Sequence, residues 1–286
     1  MYFWAKSKNM QLFNYIQWDP SITLVDLGFF ELRWYSLLFA TGFILSYMIL
    51  SKYFQKENVS IEKLDKLTVY IVLATIIGAR LGHVIFYDWE YYSDHLLEIF
   101  LPVRFEPTFH FTGFQGLASH GGAIAILVAI WLYRRNQHLS ELWTLDKLAL
   151  VVPLAGMFIR LGNLMNSEIL GRPADVPWAF VFEQVDNIPR HPGQLYEAIA
   201  YLCIFGITNL VYRKVKKQNG FVFGLFLVLL FSARFFIEFF KIHQSDFEIG
   251  MTLNMGQILS IPFIIFGLVL MFIKNKNVEE HKVSAK

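Results

Sequence analysis

Cysteine is almost absent: Cys203 is the single one in 286 residues, so no internal disulfide can brace the fold. It lies in an apolar run without a charged neighbour to lower its pKa, and is expected to be a small buried packing residue. Charge is scarce too. Only 17% of residues are Asp, Glu, Lys or Arg against 55% hydrophobic, with a positive mean hydropathy, which excludes a disordered or ordinary soluble chain. There is no HExxH zinc helix, no GxSxG nucleophile elbow and no Walker loop, and no two histidines stand four apart. No repeat of fixed period and no low-complexity linker occurs. Met1 to Arg33 lacks a continuous apolar core and a small-residue cleavage site, so the first spanning helix is expected to act as its own insertion signal. The net charge of +2 is accounted for by topology, and nothing points to nucleic acid.

What the chain does have is long apolar runs. Stretches near Trp34 to Leu50, Leu67 to Tyr87, Leu117 to Leu132, Leu145 to Leu164, Gln194 to Tyr212, Phe221 to Phe240 and Met255 to Phe272 approach the length needed to cross a bilayer. The predicted fold is an all-α membrane protein, one polytopic domain over residues 1–286 with seven transmembrane helices. Basic residues fall mainly between alternate helices: Lys52, Lys56, Lys63 and Lys66, then Arg134 and Arg135, then Arg213, Lys214, Lys216 and Lys217, with Lys274, Lys276, Lys282 and Lys286 in the tail. By the positive-inside rule that side is cytoplasmic. The opposite side holds Lys6, Lys8, Arg33, Arg104, Arg172, Arg190 and Lys241, which puts the N-terminus outside and the C-terminus in the cytoplasm. Two outer segments are long enough to form small extramembrane elements, an arm over 88–116 and a head over 165–193. Their Trp89, Tyr91, Tyr92, Pro102, Phe105, Pro107, Pro177 and Trp178 suit packing at the membrane interface.

Polar residues interrupt this apolar background at one level. RLGNLMNSEILG, Arg160 to Gly171, closes the fourth run, and a charge in a membrane helix costs at least roughly 2.5 to 3.5 kcal/mol, so such a residue marks a partner, a pathway or a substrate. On a straight helix from Leu145, Arg160 lies roughly 22 Å along, in the outer third. Arg234 has a similar depth in the sixth helix, with Glu238 one turn later. SHGG opens the third helix at His120, HPGQLYEA opens the fifth with His191, Gln194, Tyr196 and Glu197, and Trp34 with Tyr35 opens the first. Structural readings compete: an Arg234–Glu238 ion pair, Arg80 with His83 as an anchor of the second helix, Asn163 and Asn166 as interhelical hydrogen bonders, and Gly78 with Gly82 as a close-packing motif. The two glycines after His120 permit close approach of a backbone or a ligand. Two arginines at headgroup depth suit an anionic ligand, because guanidinium matches phosphate oxygens in a bidentate fork.

RLGNLMNSEILGRP resembles the signature of the prolipoprotein diacylglyceryl transferases of bacterial plasma membranes, G-R-x-G-N-F-x-N-x-E-x-x-G. Around it stand RWY at Arg33, GARLG at Gly78, HGG at His120, PW at Pro177, HPGQLYEA at His191, RFFIEFF at Arg234 and MGQ at Met255, so the resemblance spans nearly the whole chain. Ile159 replaces the usual glycine before the signature arginine, and Leu230 stands where many members carry tyrosine.

The resemblance implies a multi-pass enzyme of the bacterial inner membrane that moves the diacylglyceryl group of phosphatidylglycerol to the lipobox cysteine of a prolipoprotein. A thioether forms and glycerol phosphate leaves, with no cofactor and no metal. A free thiol has a pKa near 8.5, so a base helps, and His120 is the candidate. Arg160 and Arg234 would hold the lipid phosphate and stabilise the charge growing on it. Tyr35, Asn163, Asn166, Glu168, Gly171 and Gln194 would complete the substrate site, with Glu168 and Glu238 keeping the arginines placed. A transporter of an anionic lipid, which predicts polar residues on both sides of the midplane, and a noncatalytic lipid-binding scaffold are the other classes that buried arginines permit.

Overall fold

The computed structural model describes residues 14–28, 31–101, 103–105, 109–111, 116, 118–214, 219–242, 248 and 250–273. Lys6, Lys8, Pro102, Pro107, Lys216, Lys217, Lys274, Lys276, Lys282 and Lys286 fall outside the described residues. The helices are α1 (Trp34–Lys56), α2 (Ile61–Phe86), α3 (Trp89–Asp94), α4 (Ser119–Gln137), α5 (Glu141–Ala149), α6 (Val152–Met165), α7 (Gly193–Lys214), α8 (Phe221–Ile237) and α9 (Met255–Phe272). Five of them, α1, α2, α7, α8 with its following turn, and α9, are long and apolar enough to cross a membrane, and the bent pair α5–α6 makes a sixth if it is one span. The protein is thus a mainly helical, multi-pass membrane protein. Helix α4 has 19 residues, but His120 with two glycines at one end and Arg134, Arg135, Asn136 and Gln137 at the other shorten its apolar middle.

The chain divides into two compact units, Leu50–Thr144 and the remainder, Met1–Ile49 with Leu145–Lys286. In the first, α2 and α4 cross on glycine. A Cβ on Gly121 would lie 2.3 Å from the Gly78 carbonyl oxygen and 2.6 Å from Gly82 Cα, so the bare backbone is what lets the helices touch. The close approach that HGG permits is therefore met by another backbone. One register on, a Cβ on Gly122 would meet Thr75 O at 3.6 Å, an ordinary contact. Gly121→Val should cost at least about 1 to 3 kcal/mol by overpacking. It should lower the thermal-unfolding midpoint in detergent, while Gly122→Ala leaves it near wild type.

Arg80 is buried in this unit and fastens the arm to α2. Its Nε donates to Ile99 O at 2.8 Å and its Nη2 to Glu98 O at 2.7 Å and Tyr92 Oη at 3.1 Å. The arm comprises α3, a 3-10 turn (Leu96–Ile99) and the two-stranded ladder β4 (Val103–Arg104) with β5 (His110–Phe111). Glu98 closes it, accepting from Phe105 N at 2.8 Å and Tyr91 Oη at 2.7 Å. The Phe105 N–H holds the Glu98 carboxyl below the usual carboxylate range.

In the other unit, the fourth apolar run is not one straight helix. It bends by 43° between α5 and α6. Pro153 is the cause: it has no N–H to give to the turn before it, and it occupies the first turn of α6, where that loss is harmless. The straight-helix depth of Arg160 is corrected accordingly. Carbonyls near the break find donors on neighbouring helices, Leu150 O from Asn209 Nδ2 at 2.9 Å and Val151 O from Ser46 Oγ at 3.4 Å. Asp146 caps α8, accepting from Gly220 N and Phe223 N, both at 2.7 Å. Helices α8 and α9 meet at Gly224 and Gly267, where a Cβ on either would stand 2.7 Å from the other's carbonyl oxygen.

The head segment is a small sheet. Strand β1 (Ile16–Trp18) pairs in parallel with β6 (Phe180–Phe182), which pairs antiparallel with β7 (Pro189–Arg190). The hairpin β2 (Thr23–Asp26) with β3 (Glu31–Arg33) leads into α1. Leu164, Leu170, Phe180 and Phe182 form a buried cluster, against which Trp18 packs while donating to Leu164 O at 2.9 Å. This joins the head to the end of α6, where the signature residues begin. Cys203 is exposed on α7 and not buried. A membrane helix is apolar on its lipid face as well as its protein face, so hydropathy does not tell them apart.

Candidate active site

Helix α6 brings Arg160 and Asn163 to one face, α7 opens with Gln194 and places Glu197 and Tyr201 one turn apart, and α8 carries Arg234. All belong to the same unit, with Tyr35 from the start of α1. Two glycines of α6 seat the phenols: a Cβ on Gly162 would come within 2.7 Å of the Tyr35 ring, and one on Gly156 within 2.9 Å of the Tyr201 ring.

Arg160 is mostly buried and its Nε stands 3.0 Å from Glu197 Oε2, a charge contact whose angle is poor for a hydrogen bond. Its Nη1 reaches Asn163 Oδ1 at 3.4 Å. Glu197 is 1% exposed and is shared, since its Oε1 accepts from Lys241 Nζ at 2.7 Å. Lys241, 3% exposed, also faces Glu238 Oε2 at 3.7 Å. The result is an alternating chain of buried charge, Arg160, Glu197, Lys241, Glu238. Arg234 is half-buried and makes no ion pair among the described residues, and the Tyr201 phenol lies within electrostatic reach of both Arg234 and Arg160. The four linked charges cancel, and unpaired Arg234 leaves an excess of one positive charge in this set. Glu168 lies in the same unit, but it is exposed and screened by solvent. His191 adds none, because burial pushes its pKa down.

Two expected placements change. Glu168 does not hold an arginine: it accepts from Asn163 Nδ2 at 2.8 Å and Asn166 Nδ2 at 3.1 Å, and its backbone carbonyl accepts from Gln194 Nε2. Glu238 does not pair with Arg234. Helix α8 ends at Ile237 and tightens into a 3-10 turn over Glu238–Phe240, so Glu238 meets Lys241, three residues on. Its carboxyl is pressed against Gly256, where a Cβ would lie 2.8 Å from Cδ, which gives MGQ a packing reason. Gln257 of the same motif completes a capping box with Asn254 at the start of α9. Gly171 is buried, and a Cβ there would stand 2.2 Å from His191 O, so bare backbone is required.

Glu197 and Lys241 are the residues whose roles sequence reasoning missed. Glu197 stood in HPGQLYEA as one more polar group, and Lys241 only as an outer-loop charge; the available signal was the spacing of Lys241 from Glu238 and Arg234, three and seven residues. His120 belongs to the other unit, where it is exposed in the first turn of α4 with the rings of Phe86 and Tyr87 at 5.1 and 5.8 Å. Leu230 is half-buried one turn before Arg234. Tyr201 is a phenol within electrostatic reach of both arginines.

An excess of positive charge with forked guanidinium donors suits a phosphate ester. Comparison with known proteins points the same way. The sequence profile described as Prolipoprotein diacylglyceryl transferase matches residues 22–273. A Bacteroides fragilis protein named phosphatidylglycerol–prolipoprotein diacylglyceryl transferase is 46% identical over 265 residues, covering 91% of this chain and 96% of its own. Proteins of the same name from Tolumonas auensis and Chloroherpeton thalassium are 46% and 43% identical, covering 91% and 96% of this chain and 97% and 100% of theirs. With the signature turn, the buried arginine and the match along nearly its full length, the chain belongs to the prolipoprotein diacylglyceryl transferase family.

Proposed function

We propose that this protein transfers the diacylglyceryl group of phosphatidylglycerol to the lipobox cysteine thiol of a prolipoprotein, the first step of lipoprotein maturation. The uncompensated positive charge around Arg160 and Arg234 is the observation that carries this reading, together with the activity named for the relatives. The thiol sulfur attacks the glyceryl carbon next to the phosphate, a carbon–sulfur bond forms and the carbon–oxygen bond breaks. Its electron pair stays on the departing glycerol phosphate. The cations stabilise charge that is larger in the transition state than in the bound lipid, which is where electrostatic stabilisation accelerates a reaction. The thiol proton goes to a base, for which His120 is the candidate because its imidazole is exposed at a helix start. Tyr35, Asn163, Asn166, Glu168 and Gln194 orient the headgroup, while Asn163 and the chain Glu197, Lys241 and Glu238 hold Arg160 in place.

The topology that fits is seven spans in the bacterial inner membrane, with the N-terminus, the arm over 88–116 and the head over 165–193 outside. Helix α4 supplies the seventh span. Support for its cytoplasmic end comes from Arg135, whose guanidinium lies 4.3 Å from the Trp131 ring centroid, as expected of a basic side chain at an interface. Purified protein in phosphatidylglycerol vesicles with a lipobox peptide should release glycerol phosphate in step with loss of the free thiol. His120→Gln should lower the rate more than lipid affinity, whereas Arg160→Ala lowers both. Equal loss of affinity in the two variants would move His120 from chemistry to binding.

A further inference from the structure

The unit that carries His120 holds a second imidazole, and this one has a carboxylate beside it. His83 Nε2 lies 2.8 Å from Asp88 Oδ2. Asp88 stands just before α3, where an aspartate ordinarily caps the helix, but its side chain makes no cap bond and turns to His83 instead. The chain entering α4 is shaped around the same ring. Gly116 has a φ of 71°, and a Cβ on it would stand 2.3 Å from His83 Cδ2 and 2.4 Å from Nε2. Two residues on, Ala118 N donates to Ala79 O at 2.9 Å. Asp88 and Gly116 thus fill one edge of the imidazole. A carboxylate only accepts, so Nε2 carries the hydrogen and Nδ1 is the nitrogen left to take a proton. Nδ1 has no hydrogen-bond partner among the described residues, and the side chain keeps 22% of its surface exposed. Arg80 already fastens α2 to the arm, so His83 is not needed as an anchor.

The two imidazoles are neighbours. Each adjoins a glycine of the α2–α4 contact, where a Cβ on Gly82 would lie 2.6 Å from Gly121 Cα. The Tyr87 ring stands 5.7 Å from the His83 ring and 5.8 Å from that of His120, stacked on the first and tilted against the second. His120 has these ring contacts, with Phe86 as well, but no hydrogen bond to a carboxylate among the described residues. A carboxylate behind an imidazole holds it in one tautomer and stabilises the imidazolium that forms when the far nitrogen takes a proton. A base acts by direct contact or through one water, so two imidazoles flanking one ring can serve one thiol. We propose that His83, oriented by Asp88, is a second general base of the transfer, which takes the thiol proton onto Nδ1 and shares that role with His120. The proton leaves sulfur as the carbon–sulfur bond forms, and passes from Nδ1 to outside water after glycerol phosphate has left. Asp88 is a positioning residue. The inference rests on the transferase reading above.

The test measures transfer from phosphatidylglycerol to a lipobox peptide across pH, in reconstituted variants confirmed as folded by their unfolding midpoints. His120→Gln should lose about tenfold and His83→Gln about twofold, but the double variant about a thousandfold, within the range one general base contributes and far above the product of the two. In His120→Gln the remaining rate should still rise through about pH 6.5, where an imidazole loses its proton. Adding His83→Gln should move that rise to about pH 8.5, where the thiol ionises unaided. Adding Asp88→Asn instead should lower the rate about tenfold, with partial recovery in Asp88→Glu, and this pair carries the test if His83→Gln does not fold. Effects that simply multiply, a pH profile that neither substitution moves, or a His120→Gln variant with no transfer overturns the second base and makes the pair a brace for Gly116. Absence of transfer in wild type is instead a failure of the transferase reading. The base is then read from alkylation of the peptide thiol by iodoacetamide in the presence of the protein. Acceleration over the free peptide that only the double variant removes supports two bases; no acceleration, or acceleration removed by His120→Gln alone, overturns them.

Discussion

Glu197→Gln is expected to cost about 3 to 5 kcal/mol of stability and to abolish measurable transfer, because it removes the carboxylate shared by two buried cations. Glu197 stands 3.0 Å from Arg160 and 2.7 Å from Lys241 and is almost wholly buried, so neither cation can turn to water when it is neutralised. The unfolding midpoint in detergent reads the first effect and product formation the second. A second substitution separates them. In Glu197→Gln with Lys241→Met the stranded ammonium is gone, so the midpoint should recover in large part, while transfer stays low because Arg160 still lacks its anchor. A double variant no more stable than the single one would show that Lys241 is not the partner whose loss matters.

Arg160→Ala should act oppositely, sparing the fold and removing the chemistry. The variant leaves Glu197 paired with Lys241, so no buried carboxylate is orphaned and the midpoint should move by less than for Glu197→Gln. Transfer should fall by about a hundredfold to a thousandfold, the scale seen when one donor to a developing oxyanion is lost. Arg160→Lys should recover little of it. Lysine keeps the charge but not the planar fork, and Nζ cannot face Glu197 and a phosphate with the same geometry. Full activity in Arg160→Lys would reduce the role of Arg160 to that of a point charge.

These expectations rest on contacts that the sequence shows unevenly. The apolar runs locate the helices well: Phe221 to Phe240 and Met255 to Phe272 match observed elements to within a residue, because twenty apolar residues have few other places to go. Gly78 and Gly82 are also legible, their four-residue spacing meaning close helix contact. The break at Pro153 was written in the sequence, yet total apolar length outweighed it. What hydropathy and helical periodicity miss depends on where periodicity stops. Glu238 sits four residues after Arg234, which on a continuing α-helix makes them neighbours; a 3-10 turn begins at Glu238 itself and turns it to Lys241. Lys241 lies just past the apolar run and so counted only toward topology. Its burial follows from pairing of its backbone with Gly171, a contact between segments seventy residues apart that no local pattern announces. Arg160, Asn163, Gln194 and Tyr35 were legible as a group because polar residues in a membrane helix are costly, and cost is visible one residue at a time.

In the proposed reaction the cations around Arg160 serve an alkyl transfer and not the passage of a lipid. The most direct measurement is the mass of a lipobox peptide after incubation with purified protein and phosphatidylglycerol, with fragmentation to locate the adduct. The expected product carries one diacylglyceryl group on the cysteine sulfur through a base-stable thioether, and it is absent with Arg160→Ala. An unmodified peptide in vesicles where the wild-type protein nonetheless moves phosphatidylglycerol between leaflets would contradict it.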